Sequence, residues 1–143
     1  MKTETDVNQA LKGVPLFAGL SDKSLRSIAS QMKAYEFSPG AVIIEENTEG
    51  KMGRMYVMLS GHADVLIDGS PVAQYGPGDH FGEMSVLDGS PRSATIRATT
   101  DVTTMGLSSW NLRALIKEEP EISLHIIEVL VARLRAVNAK LND

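Results

Sequence analysis

The residues best suited to chemistry lie close together, between positions 81 and 96, in the run FGEMSVLDGSPRSATI. Gly82 allows the backbone to approach a ligand closely. A short apolar run with helical spacing follows it, and the N–H groups at the start of such a helix point at an anion. Arg92, ten residues beyond Gly82, can return a guanidinium fork to the same anion. Glu83 beside them is an ionised carboxylate, which only accepts hydrogen bonds. Next to a bound phosphate it makes sense only if it faces a donor. A ligand carrying a phosphate and a nearby hydroxyl satisfies both residues, and a sugar phosphate has that shape. The plain alternative is a turn glycine at Gly82 and a surface ion pair between Glu83 and Arg92.

Other chemistries find less footing. His62, His80 and His125 invite a metal hypothesis, since cupin-like jelly-roll enzymes bind metal through histidines and a glutamate. There is no His-x-His pair, however, and only His80 and Glu83 are near enough to share a ligand. No metal is expected, and the histidines read as ordinary surface residues. Ser85, Ser90 and Ser93 lack a neighbouring His/Asp arrangement, which leaves a serine hydrolase unsupported. Met52, Met55, Met58 and Met84 read as core filler, and Trp110 as a packing residue on the penultimate helix.

The elements that must hold the run follow from periodicity. Ser21 can cap a helix with Leu25, Ile28, Ala29 and Met32 on one face, after an apolar connector VPLFAGL. From Tyr35 the pattern changes to short strands between turn signals: SPG at 38–40, SG at 60–61, DG at 68–69 and GPGD at 76–79. Asp68-Gly69 suits a two-residue hairpin, and 102–107 is the last strand. Such spacing indicates a sandwich or jelly roll. Ser108 or Ser109 can cap the next helix, and Pro120 opens a final one reaching about Leu141. On it Ile122, Ile126 and Val129 form one stripe. Ile127, Leu130, Leu134, Val137 and Leu141 form a second, at coiled-coil spacing, which is either a dimer seam or a second core face.

At 143 residues the chain is read as one domain. It carries 14 Lys and Arg, scattered, against 18 Asp and Glu, for a net charge of -4, which argues against a nucleic-acid surface. There is no cysteine, hence no disulfide framework. MKTETDVNQALKG has no apolar signal core and no run approaches the roughly 18 apolar residues of a membrane span. The expected location is cytoplasmic.

FGEMSVLDGSPRSAT closely resembles the phosphate-binding cassette of cyclic-nucleotide-binding domains, and the flanks from Pro15-Leu16-Phe17 to the last helix are similar to that family as well. The resemblance implies an α+β fold: an antiparallel β jelly-roll barrel (34–107, cassette 81–96) flanked by an N-terminal helical segment (1–33) and two C-terminal helices (108–141). It implies that Glu83 holds the ribose 2′-hydroxyl and Arg92 the cyclic phosphate. Phe81, Gly82, Met84, Ser85, Ser93 and Ala94 complete the cassette. Asn138 lies about where the family places a base-contacting residue, although a solvent-facing asparagine reads equally well there. Ser93 is compatible with either base, and cyclic AMP is favoured over cyclic GMP. The implied function is a sensor without catalysis and without a cofactor beyond its ligand, in which binding moves the final helix. Two alternatives stand beside it, the cupin-like metalloenzyme and a ligand-free interaction domain; the matched Glu83 and Arg92 pair speaks against the second. Partners would be the nucleotide and either a second copy through the final helix or an effector protein. The family's transcription factors carry a helix-turn-helix segment after that helix, and its absence before Asp143 makes direct DNA binding unexpected.

Overall fold

The computed structural model describes residues 4–48 and 53–142. Two helices, α1 (Glu4–Lys12) and α2 (Asp22–Gln31), precede eight strands: β1 (Lys33–Phe37), β2 (Val42–Ile44), β3 (Arg54–Ser60), β4 (Ala63–Ile67), β5 (Ser70–Tyr75), β6 (His80–Phe81), β7 (Thr95–Ala98) and β8 (Val102–Ser108). A short helix α3 (Glu83–Asp88) lies between β6 and β7, and α4 (Ser109–Glu118) and α5 (Pro120–Asn142) close the chain.

Local chemistry accounts for the boundaries. Ser21 is extended, with φ -63° and ψ 156°, and its hydroxyl accepts the Ser24 N–H at 3.1 Å to cap α2. Ser108 does the same for α4, accepting from the Asn111 N–H at 3.0 Å. Asp68 and Gly69 both have positive φ, 51° and 81°, the signature of a type I′ turn joining β4 to β5. The connector between α1 and α2 turns on itself, with the Phe17 N–H donating to the Val14 carbonyl at 2.8 Å while both side chains are buried.

The strands form two antiparallel four-stranded sheets, ordered β1-β8-β3-β6 and β2-β7-β4-β5, a jelly roll as the sequence predicts. The first sheet is the middle layer. Side chains alternate along a strand, so Met55 and Val57 of β3 pack with Phe17, Ile28, Leu112 and Ile122 of the helices. Tyr56 and Met58 face the other way and meet Ile44, Val65 and Ile96 of the second sheet. Each large side chain so buried contributes about 1.5–3 kcal/mol.

Several expectations change. Trp110 is 81 % exposed rather than packed. It precedes the buried Leu112 by two positions, about 200° around the helix, and so faces solvent. Met84 is exposed for the same reason, because Val86 takes the inward face of α3. Met55 and Met58 are core residues as expected, while Met52 lies outside the described residues. Of the histidines only His62 is exposed. On α5 Leu130 belongs to the docked face with Ile122, Ile126 and Val129. The row left in solvent is Leu124, Ile127, Val131, Leu134, Val137 and Leu141.

Candidate functional site

The run 81–96 is the crossover between the sheets. Its start is fixed in the first sheet by β6, where Phe81 pairs with Tyr56 and His80 with Val57 of β3. Its end joins the second sheet through β7, which lies between β2 and β4. Gly82 carries the chain out of β6 with φ 89°, a left-handed conformation natural to glycine. Gly89 ends α3 in the same conformation, its N–H donating to the Ser85 carbonyl at 2.8 Å. The Asp88 carboxylate accepts from the backbone and hydroxyl of Ser90, which turns the chain toward Pro91.

Arg92 is clamped at backbone and side chain. Its N–H donates to the Thr48 carbonyl and its carbonyl accepts from the Asn47 N–H, both at 2.8 Å. Its guanidinium, in a residue only 5 % exposed, donates through Nη1 to the Gly82 carbonyl at 3.0 Å and through Nη2 to the Arg54 carbonyl at 2.6 Å. A Cβ on Gly53 would run into that guanidinium. Burial draws the Arg92 pKa below the ordinary guanidinium value, with Tyr56 opposing, yet an arginine stays charged in a protein. Two of its five N–H donors serve carbonyls, which leaves others for a ligand.

These residues line a cleft of about 550 Å³. Phe81, Gly82, Glu83, Met84, Ser85, Arg92, Ser93 and Ala94 are all on its wall, joined by Ile44, Val65, Ile67 and Ile96 from the strands and by Tyr75, Asp79 and His80. Asn138 is not: it is exposed on the distal part of α5. The Tyr75 ring stacks on Phe81 with centroids 5.1 Å apart and planes 2° from parallel. Burial raises the Tyr75 pKa, as do the charges of Glu83 and Asp79, so its hydroxyl keeps its proton. For Glu83 burial pushes the carboxyl up, but His80, the residue's own backbone amide and the charge of Arg133 together hold it below its usual value. The cleft thus presents the Glu83 and Asp79 carboxylates and the Arg92 guanidinium among largely apolar walls, as a ligand with an anion, hydroxyls and an apolar face requires.

Arg133 and His80 were not among the sequence-derived site residues. Arg133 is partly buried while its neighbours on the distal helix are exposed, a difference the apolar stripes do not reveal. Among the described residues no group of three or more His, Asp or Glu side chains is placed to hold a metal ion, so the cupin-like alternative finds no support.

A jelly roll whose sheet-to-sheet crossover brings an ionised acid and an arginine into one cleft has the form of a small-ligand-binding domain. The cyclic nucleotide-binding domain model matches residues 35–119, and the chain belongs to that family of sensing domains. It is 29% identical over 142 residues to the CRP-like cAMP-activated global transcriptional regulator of Mycobacterium tuberculosis, covering 96% of this chain and 62% of that protein. It is 37% identical over 108 residues to the cAMP-dependent protein kinase regulatory subunit of Colletotrichum orbiculare, covering 74% of this chain and 27% of that one. The chain thus spans less than two thirds of either relative. Among solved structures, the N-terminal domain of a transcriptional regulator from Streptomyces coelicolor superimposes with a TM-score of 0.83 at 29% identity, over 91% of this chain and 95% of the other. No helix among the described residues is long and apolar enough to cross a membrane.

Proposed function

We propose that the cleft binds a cyclic nucleotide, cyclic AMP in preference to cyclic GMP, and that the chain, acting as one domain, is a regulatory sensor rather than an enzyme. The observation that carries this reading is the presence of charged Glu83 and Arg92 on the wall of one cleft, delivered by the two ends of one crossover. Arg92 and N–H groups of the first turn of α3 receive the cyclic phosphate. Glu83 accepts the ribose 2′-hydroxyl. Phe81, Gly82, Met84, Ser85, Ser93 and Ala94 shape the surrounding wall.

Asn138 stands away from the cleft, so a base contact from it requires α5 to swing inward. Helix α5 carries both Asn138 and the exposed apolar row, which makes it the element proposed to respond. A ligand shifts it only by binding one arrangement better than the other. A second reading of Asn138 is favoured by spacing. Leu124, Ile127, Val131, Leu134, Asn138 and Leu141 follow one another at intervals of three and four, and an asparagine in such a seam sets register in a coiled-coil dimer. A homodimer through this face, or an effector protein on it, is the proposed output. With a net charge of -4, direct contact with nucleic acid by this chain is not proposed.

Calorimetric competition tests the reading. Cyclic AMP is expected to bind more tightly than cyclic GMP, and 2′-deoxy cyclic AMP more weakly than its ribo parent because Glu83 then loses its donor. Equal binding of the ribo and deoxy ligands would refute the role of Glu83, and a preference for cyclic GMP would overturn the choice of base.

A further inference from the structure

We propose that His80 is a positioning residue for Glu83, its Nδ1–H holding carboxylate oxygen Oε1 so that Oε2 is the atom offered to the ligand's sugar hydroxyl. This rests on the reading of the cleft given above. The backbone of His80 is fixed by its pairing with Val57, one residue before the ring-stacked Phe81. Its Nδ1 is fully buried and lies 3.2 Å from Glu83 Oε1, without the alignment of a completed hydrogen bond and without another partner. Among the described residues it is the one basic group within ion-pair distance of that carboxylate.

The distance has a consequence for the proton. A bare ring nitrogen facing a carboxylate oxygen would set two acceptors against each other; the contact is favourable only when Nδ1 carries hydrogen. A glutamate at the start of a six-residue helix otherwise has several rotamers open to it, and choosing one on ligand binding costs side-chain entropy. Engaging Oε1 from a strand removes that freedom in advance. It also leaves Oε2 as the oxygen without that contact, available to accept from the sugar hydroxyl.

The test compares cyclic AMP and 2′-deoxy cyclic AMP by calorimetry on wild type, His80→Phe and His80→Asn. His80→Phe should weaken the ribo ligand about two- to tenfold, the size expected for one hydrogen bond, while leaving the deoxy ligand unchanged, so that discrimination shrinks. His80→Asn, whose amide nitrogen falls near the place of Nδ1, should restore it. An equal loss for both ligands, or undiminished discrimination in His80→Phe, overturns the proposal. A second measurement needs no variant to fold. Nitrogen NMR of the ligand-free wild type should show the His80 Nδ1 protonated, and an Nε2–H tautomer with bare Nδ1 overturns the proposal. If wild type binds neither nucleotide, the cyclic-nucleotide reading itself falls and the inference with it. A wild type that binds and discriminates while His80→Phe does so equally well sinks the inference alone.

Discussion

The Nη1 of Arg92 donates to the carbonyl of Gly82 at 3.0 Å, closing the crossover into a ring whose two ends come from different sheets. The same carbonyl also accepts the Val86 N–H at 3.4 Å in the first turn of α3. The proposed phosphate ligand and the geometry of the helix that would bind it therefore share one side chain.

Arg92→Ala should consequently act twice. Charge-assisted bonds contribute about 1.5–3 kcal/mol each, so loss of the phosphate contact should weaken cyclic AMP roughly tenfold to more than a hundredfold. Loss of the bonds to Gly82 and Arg54 should also lower ligand-free stability by about 1–3 kcal/mol. Arg92→Lys restores the charge but not a fork that spans two carbonyls, and should recover either property only in part. Calorimetry and denaturant unfolding separate the two effects. Unchanged affinity in a folded Arg92→Ala protein removes Arg92 from the site.

Gly82→Ala should be among the most damaging single-methyl changes in the chain. The backbone sits at φ 89°, and an added Cβ would lie 2.8 Å from the Arg54 carbonyl oxygen, 2.9 Å from Arg92 Nη1 and 3.2 Å from Ile44 Cδ1. Backbone strain of this kind costs about 1–3 kcal/mol. Displacement of Arg92 should add a loss of nucleotide affinity. Gly69→Ala has positive φ but open space around it, and serves as the control: it should lose stability in unfolding experiments without a matching loss of binding.

What was legible in the sequence was local chemistry. The Ser21 and Ser108 caps, the Asp68-Gly69 turn and the helix start at Pro120 each depend on a few adjacent residues, and each is found where the pattern places it. The crossover was legible because its glycine, acid and arginine occur in one short run. The carbonyl partner of Arg92 on Arg54 lies 38 residues away, and nothing in the spacing announces it. His80 was visible only as a weak metal candidate, since its closeness to Glu83 depends on the turn at Gly82. The stripes of α5 were read as two, but helical periodicity does not say where a helix leaves the body of the fold. Leu130 is docked because it shares the face of Ile122 and Ile126, while Val131 falls on the exposed one.

Acid should act on Glu83 with a defined sign. Its folded-state pKa is held below the usual value despite burial, so its stabilising contribution is fully present above the unfolded value of about 4.3. That contribution is lost as pH falls through the lowered folded value. Glu83→Gln should therefore be less stable than wild type near neutrality, and the gap should narrow progressively below about pH 5. Unfolding free energies measured across that range check it. A gap that is constant with pH would mean that the carboxylate is no better stabilised folded than unfolded.

Leu134 is the point at which the exposed face of α5 can be tested. It is 60 % exposed within a row that includes Leu124, Ile127, Val131 and Leu141, and contiguous exposed apolar residues of this kind mark an interaction surface. In the proposed dimer Leu134 is buried against its symmetry mate, so Leu134→Glu would set two carboxylates together in an apolar seam, at several kcal/mol. Light scattering should show wild type as a dimer and Leu134→Glu as a monomer. The ligand-free monomer should keep its thermal stability, because this side chain touches no core cluster. Leu130→Glu is the contrasting change: Leu130 packs on the body of the fold, so the charge should lower the melting temperature. A wild type that stays monomeric at high concentration, with and without cyclic AMP, would overturn the dimer, and the nucleotide site would be untouched by that result.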